Sequence, residues 1–343
     1  MSTSSTNNFD LIRLLAALQV MLKHALVHLG FDGPWTELLG LFPGVPVFFF
    51  ISGFLIFQSF HNSSSARQFA VNRLLRIYPA LVVCFAVAVG LVLATGYMPA
   101  SRLARADFAA WAAAQLTLFQ IYNWEALRGF GVGALNGSLW TIAVELQFYL
   151  LTPLLAWAVT SGRQAIWMLL LAIGVAANLA MQPGATAFGP KLYSVSAPPW
   201  FYMFMLGAWL STRPDWQARL QRAPWLALLL GYAAVGGVGH WLGWRVTGNE
   251  INPLSYVLLA ALVYRLAFTR PETSRRLLGP NDISYGVYIY HMPVINMLVH
   301  AGWVGRPADV AIASAATVAL AILSWLAIER PALRLKRAAL RKL

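Results

Sequence analysis

The chain has 343 residues, 59% of them hydrophobic and only 11% charged, with a mean hydropathy of +0.62. Soluble domains carry about a quarter charged residues, so this composition excludes an ordinary soluble fold and points to an all-α, polytopic membrane helix bundle. The formal net charge of +13 is assigned to basic loops that face anionic cytoplasmic lipid, with no nucleic-acid binding expected.

The head, MSTSSTNN, is polar and lacks the basic region of a secretory signal, so residues 1–8 are expected to be a short disordered tail. The apolar segment 9–30 that follows reads as a retained signal anchor. Further apolar segments follow at 44–60, 79–96, 138–160, 165–181, 198–212, 224–241, 253–268, 283–300 and 308–328. A span needs about 17–25 residues, and this gives about ten transmembrane helices, with 198–212 the shortest. The basic stretch 332–343 forms a cytoplasmic tail. No internal repeat or second domain is evident, and 1–343 reads as a single integral membrane domain.

The stretch DFAAWAAAQLTLFQIYNW, 107–124, is long enough to be an eleventh span, and loop charge decides. If it does not cross and the N-terminus is inside, the inner loops and tail hold sixteen Lys and Arg and the outer loops six. If it crosses, that asymmetry reverses. The positive-inside rule therefore favours ten spans, both termini cytoplasmic, and an outer-face or re-entrant helix near 107–124.

The first span carries Arg13, Lys23, His24 and His28. A charged group at the bilayer centre costs roughly 2.5–3.5 kcal/mol on insertion scales, so such residues face the bundle interior or a wet cavity. On a helix, Arg13 and His24 point the same way, about 16 Å apart along the axis. His24 is a candidate for proton transfer near neutral pH. Alternatively, Arg13 and Lys23 reach the interfaces and His24 bonds a neighbouring backbone. The string H-x-x-x-D-G from His28 to Gly33 falls at a helix end and is read as coincidence.

Arg73 and Arg76 share a helical face just ahead of Pro79, which is expected to open the third span. Two such guanidiniums either anchor the span at the inner interface or clamp a phosphate-bearing donor. The glycine-rich RGFGVGALNG, 128–137, lacks the Lys-Ser/Thr of a phosphate-cradling loop and reads as a flexible outer loop. Glu145 lies inside a span and needs a partner, either an arginine of the bundle or a role at the acceptor or at His24. Ser284, Tyr288 and His291, spaced four and three apart, make a polar stripe with Tyr285. The stripe either packs helices together or lines the cavity that holds His24. Glu329 closes the last span and is expected in an ion pair. Cys84 is the one cysteine, so no internal disulfide is expected; no Cys/His cluster has zinc spacing and no metal is expected.

Five stretches in order, FDLIRLLAALQVMLKH, PVFFFISGFLI, RLLRIYPA, GSLWTIAVELQFYLLTPLL and ISYGVYIYHMP, resemble the signatures of the acyltransferase-3 family of integral membrane O-acyltransferases. The resemblance covers about 9–331. It implies transfer of an acyl group, usually acetyl, from cytoplasmic acyl-CoA to a hydroxyl of a carbohydrate, glycolipid or macrolide acceptor, with no bound cofactor. It implies a catalytic His24, acting either as general base or as a relay that carries the acyl group as an acyl-histidine, with Arg13, Arg73 and Arg76 serving the donor. It also implies a bacterial inner-membrane location, and the chain resembles the stand-alone form of the family. Ten spans with buried Arg and His also suit a transporter or flippase for a lipid or sugar, the alternative reading.

Overall fold

Sixteen α-helices follow one another in the computed structural model, which describes residues 6–160 and 162–339. In chain order they are α1 Phe9–His28, α2 Pro34–Gly40, α3 Gly44–His61, α4 Ala66–Ala94, α5 Ala106–Gln115 and α6 Trp140–Thr160. Then come α7 Gln164–Ala180, α8 Phe188–Ser194, α9 Phe201–Ser211, α10 Pro214–Arg222 and α11 Trp225–Trp241. The last are α12 Pro253–Ala267, α13 Thr273–Leu278, α14 Ser284–His300, α15 Pro307–Ser324 and α16 Arg330–Ala339. Among the described residues there is no strand, as expected of backbone that must satisfy its own hydrogen bonds in lipid.

Each of the ten predicted segments contains a helix, but their lengths differ. Five helical stretches are long and apolar enough to cross a membrane: Phe9–His28, Pro34–His61, Ala66–Ala94, Gly137–Val159 and Pro307–Leu335. α10 and α11 form a sixth candidate only as a pair bent by 92°. α7 and α12, with 17 and 15 residues, are apolar but shorter. α9 has 11 residues, about 16 Å of helix. Of the stretch 107–124, only α5 is α-helical. Its ten residues reach about 15 Å, half the hydrocarbon thickness, so it is not an eleventh spanning helix.

By contacts the chain divides into two compact units. The first takes residues up to Ala16, with Glu37–Asn62 and Gln147–Asp282; the second takes Ala17–Thr36, Ser63–Leu146 and the chain from Ile283. In the first unit, α3 packs on α9 through two glycines. A Cβ on Gly53 would stand 2.0 Å from the carbonyl oxygen of Phe204, and one on Gly207 would stand 2.1 Å from that of Phe50. Only residues without side chains permit so close an approach, the usual device for packing helices where lipid removes the hydrophobic incentive.

Also in the first unit, Asn8 corrects the expectation for the head. It is buried, its Nδ2 donates to Thr269 O at 2.8 Å, and its Oδ1 accepts from Ser274 N at 2.9 Å. Order therefore begins before the apolar segment; residues 1–5 of the expected tail lie outside the described residues.

In the second unit, α14 packs on α15, where a Cβ on Gly286 would meet Ala321 Cα at 2.9 Å. α4 corrects the expectation for Pro79. The helix starts at Ala66, capped by the Ser65 side chain accepting from Gln68 N, and Pro79 lies inside it. A good N-cap fourteen residues earlier outweighs the preference of proline for a first turn, so Arg73 and Arg76 stand on α4 itself. The last predicted span also runs on. α15 passes through one π-helical turn, Trp325–Glu329, into α16. The expected basic tail is thus helical to Ala339, and its residues 340–343 lie outside the described residues.

The glycine-rich loop is packed, in contrast to its expected flexibility. Phe130 and Leu135 are buried in a cluster with Trp111 and Trp124. Asn296, wholly buried on α14, donates to Ala134 O and Leu135 O at 3.0 and 3.2 Å and accepts from Val132 N at 2.8 Å. Gly131 has φ +57°, and a Cβ there would run into the Asn296 side chain, so glycine is required for this approach.

Candidate active site

His24 stands on the part of α1 that belongs to the second unit, and His291 stands near the middle of α14 in the same unit. Their side chains meet: His24 Nδ1 and His291 Nε2 are 2.8 Å apart, within hydrogen-bonding distance. The rings stack, with centroids 5.1 Å apart and planes 22° apart. His291 is wholly buried, whereas His24 is half-buried. His28 follows one turn on, its ring centroid 5.8 Å from that of His24. Ala25 and Leu29 fix this face of α1 by packing with Met292, Val294 and Ile295 of α14.

A proline builds the surroundings of His291. Pro293 has no N–H, so the carbonyl of Ile289, four residues back, loses its helical partner. A buried carbonyl must find another donor. Asn136 Nδ2 supplies one at 2.8 Å, and the Cys84 thiol another at 3.2 Å. Ser138 Oγ in turn donates to Asn136 Oδ1 at 2.7 Å. The Tyr288 hydroxyl lies 2.7 Å from Thr141 Oγ1 and donates to Ser138 O at 3.3 Å. Its ring stands edge-on to that of His291, centroids 5.8 Å apart. A network of this kind holds one rotamer per residue.

Of the polar stripe predicted on α14, Tyr288 and His291 are thus neighbours in one buried network, and Ser284 is buried at the start of the helix. Glu145 on α6 is half-buried, and its carboxylate acts electrostatically on Tyr285 and Tyr288. The residues that sequence reasoning missed are Asn136, Ser138 and Thr141. Pro293 was a legible sign that a donor is needed at Ile289, but spacing does not name the donor.

Arg76 lies elsewhere in this unit, with Glu329. Arg76 Nη1 is 3.6 Å from Glu329 Oε2, and Ser324 Oγ donates to Glu329 Oε1 at 3.2 Å. Glu329 is 2% exposed and closes the π-helical turn, a local irregularity that often marks function. The ion pair expected of Glu329 is therefore made with α4. Arg73 is half-buried one turn before Arg76. Nearby, the Tyr285 hydroxyl donates to Ile77 O at 3.1 Å and ties α14 to α4.

Arg13 belongs to the first unit. Its Nη2 donates to Asp10 one turn back and to Asp282 Oδ2 at 2.9 Å. Two carboxylates thus hold the guanidinium of Arg13, and neither was singled out in the sequence.

Two hydrogen-bonded imidazoles, one wholly buried and one half-buried, form a unit in which the inner ring can orient the outer one for proton transfer. The family model described as Acyltransferase domain matches residues 6–326. The chain belongs to the acyltransferase-3 family. The match covers both compact units, and the all-helical architecture with its long apolar helices is that of an integral membrane acyltransferase-3 protein. Nodulation protein 10 of Rhizobium leguminosarum bv. viciae is 35% identical, over 98% of this chain and 95% of its own. An O-acetyl transferase of Shigella phage Sf6 is 25% identical over 95% of each chain. Exopolysaccharide production protein ExoZ of Rhizobium meliloti is 28% identical, over 86% of this chain and 90% of its own. No solved structure matches.

Proposed function

We propose that this acyltransferase-3 protein is a membrane O-acyltransferase that moves an acyl group, in first place acetyl, from cytoplasmic acyl-CoA to a hydroxyl of a carbohydrate or glycoconjugate. The observation that carries this reading is the hydrogen bond between His24 and His291, in a chain similar to an O-acetyl transferase and to an exopolysaccharide production protein. His24 acts as general base. It takes the proton of the acceptor hydroxyl as the oxygen attacks the thioester carbonyl carbon. The carbon–sulfur bond breaks, and the departing CoA thiolate takes the proton from the imidazolium.

In this reading Arg73 and Arg76 receive the phosphates of the donor, Arg76 exchanging Glu329 for phosphate as it does so. Arg13, already held by Asp10 and Asp282, is fixed at the near end of α1 to support the donor. Glu145, Ser284 and Tyr288 border the acceptor side. The chain crosses a bacterial inner membrane about ten times with both termini cytoplasmic. Support for this topology comes from a helix in each of the ten predicted segments and the excess of basic residues in the inner loops.

The test is label transfer by the purified protein in detergent, from radiolabelled acetyl-CoA to oligosaccharide. His24→Ala is expected to lower transfer by about 10²–10⁴-fold, the usual contribution of general base catalysis. Wild-type transfer in a folded His24→Ala protein would remove His24 from the chemistry.

A further inference from the structure

A pair of neutral imidazoles sharing one hydrogen bond has a direction: one nitrogen donates and the other accepts. The surroundings of His291 settle which. Its Nδ1 is buried and makes no well-formed hydrogen bond among the described residues. With Nε2 turned to His24, Nδ1 is the ring nitrogen nearer the helix backbone, over the preceding turn of α14 with its carbonyls of Val287 and Tyr288. Carbonyl oxygens are acceptors, so a lone pair on Nδ1 would face other lone pairs, whereas an N–H there is attracted to them. The proton of His291 therefore sits on Nδ1, and its Nε2 carries the lone pair. Across the 2.8 Å contact, His24 must then donate through Nδ1–H, which leaves the lone pair of His24 on Nε2.

From this geometry we infer that His291 is the positioning residue of the site: it accepts from His24 Nδ1–H through its own Nε2 and holds His24 in the tautomer whose Nε2 is the base. The inference rests on the reading of His24 as the base and adds which nitrogen acts and what aims it. The logic is that of a catalytic base oriented by a third group, with a buried neutral imidazole in the place where a carboxylate often stands. Such an orienter works only if it cannot turn, and the neighbourhood of His291 supplies that rigidity. Tyr288 stands edge-on to its ring, with the tyrosine hydroxyl between Thr141 and the Ser138 carbonyl. Asn136 and Cys84 hold the helix at Ile289, two residues earlier. When the His24 Nε2 takes a proton, the resulting imidazolium still donates from Nδ1 to His291, so the contact that sets the tautomer also stabilises the charged ring.

Nitrogen-15 NMR of selectively labelled histidine in the full-length detergent-solubilised protein reads the tautomer directly. At about pH 8.5, two units above the ordinary imidazole value, the His24 resonances, assigned by comparison with His24→Gln, are expected to show a protonated Nδ1 and an unprotonated Nε2. A proton on His24 Nε2 overturns the inference whatever the activity. Kinetics with acetyl-CoA, followed by release of the CoA thiol, give the second arm. His291→Leu keeps bulk but removes the acceptor. It is expected to lower kcat about 100-fold and leave the KM for acetyl-CoA within about twofold, by analogy with loss of the orienting group of a catalytic triad. His291→Gln, whose amide oxygen can stand where Nε2 stands, is expected to recover at least about a tenth of the wild-type kcat. If His291→Leu turns over within about threefold of wild type while His24→Ala is dead, this inference fails and the reading of His24 stands. If His24→Ala remains active, the underlying reading fails with it. Equal loss in the Leu and Gln variants would also overturn it, because packing and not the acceptor would then be what matters. Should the Leu variant not fold, the tautomer of the wild-type protein still decides.

Discussion

Arg76 on α4 and Glu329 at the end of the π-helical turn form an ion pair at 3.6 Å, and the carboxylate is almost wholly buried. One long helix thereby meets the last apolar segment of the chain, and the two charges offset the cost of each other's desolvation. Replacing Glu329 by Gln leaves the guanidinium short of a counter-charge. A loss of about 2 kcal/mol is expected, less than for a fully buried pair because Arg76 keeps some exposure. It should appear as a melting temperature in detergent lower by about 5 °C. Arg76→Gln in the same protein should restore part of the loss; a double mutant no better than the sum of the singles would show that the two side chains do not interact.

The crossing of α3 and α9 tolerates no side chain at Gly53 or Gly207. Gly53→Ala places a methyl group against the Phe204 carbonyl and forces the helices apart, at a cost of about 1–3 kcal/mol. Gly90 in α4 meets nothing within 4 Å of a built Cβ, so Gly90→Ala is expected to be neutral or to stabilise by up to about 1 kcal/mol, the gain in helix propensity. Thermal unfolding of the two variants, side by side, distinguishes a packing constraint from a general dislike of substitution.

Asn136 is the amide donor to the carbonyl that Pro293 strands. Asn136→Ala should cost about 1–3 kcal/mol, the usual penalty for a buried polar group left short of a partner. Cys84→Ala removes the weaker of the two donors and should cost less than half as much. Chemical denaturation of the purified variants gives the order, and a Cys84 loss larger than the Asn136 loss would reverse the assignment.

The side chain of Asn8 ties the start of α1 to Thr269 and Ser274. Asn8→Ala should cost about 1–2 kcal/mol through the lost bonds to Thr269 and Ser274. Resistance to limited proteolysis would check it, with faster cleavage expected in the Asn8 variant.

Much of this architecture was legible before any coordinates. Apolar length and helical period are local properties, so each of the ten apolar segments contains a helix, although α4 starts thirteen residues ahead of its segment and the last helix runs on past its own, and counting loop charges disfavoured an eleventh crossing at 107–124. His24, Tyr288 and His291 stand out because a polar group inside an apolar helix is costly and therefore conspicuous, and Arg76 because it shares a helical face with Arg73. Only the tertiary structure decided who meets whom. His24 and His291 are 267 positions apart, and nothing in the spacing of either helix says that they share a hydrogen bond. Arg13 could be flagged, but not its capture by Asp282; Glu329 could be assigned an ion pair, but not its partner on α4. Pro79 looked like a helix start because a proline preference is local, whereas the N-cap at Ser65 and the packing of α4 overrode it. A residue's cost in lipid is fixed by its own chemistry and can be read along the chain, but the partner that offsets that cost is fixed by which distant segments fold against one another.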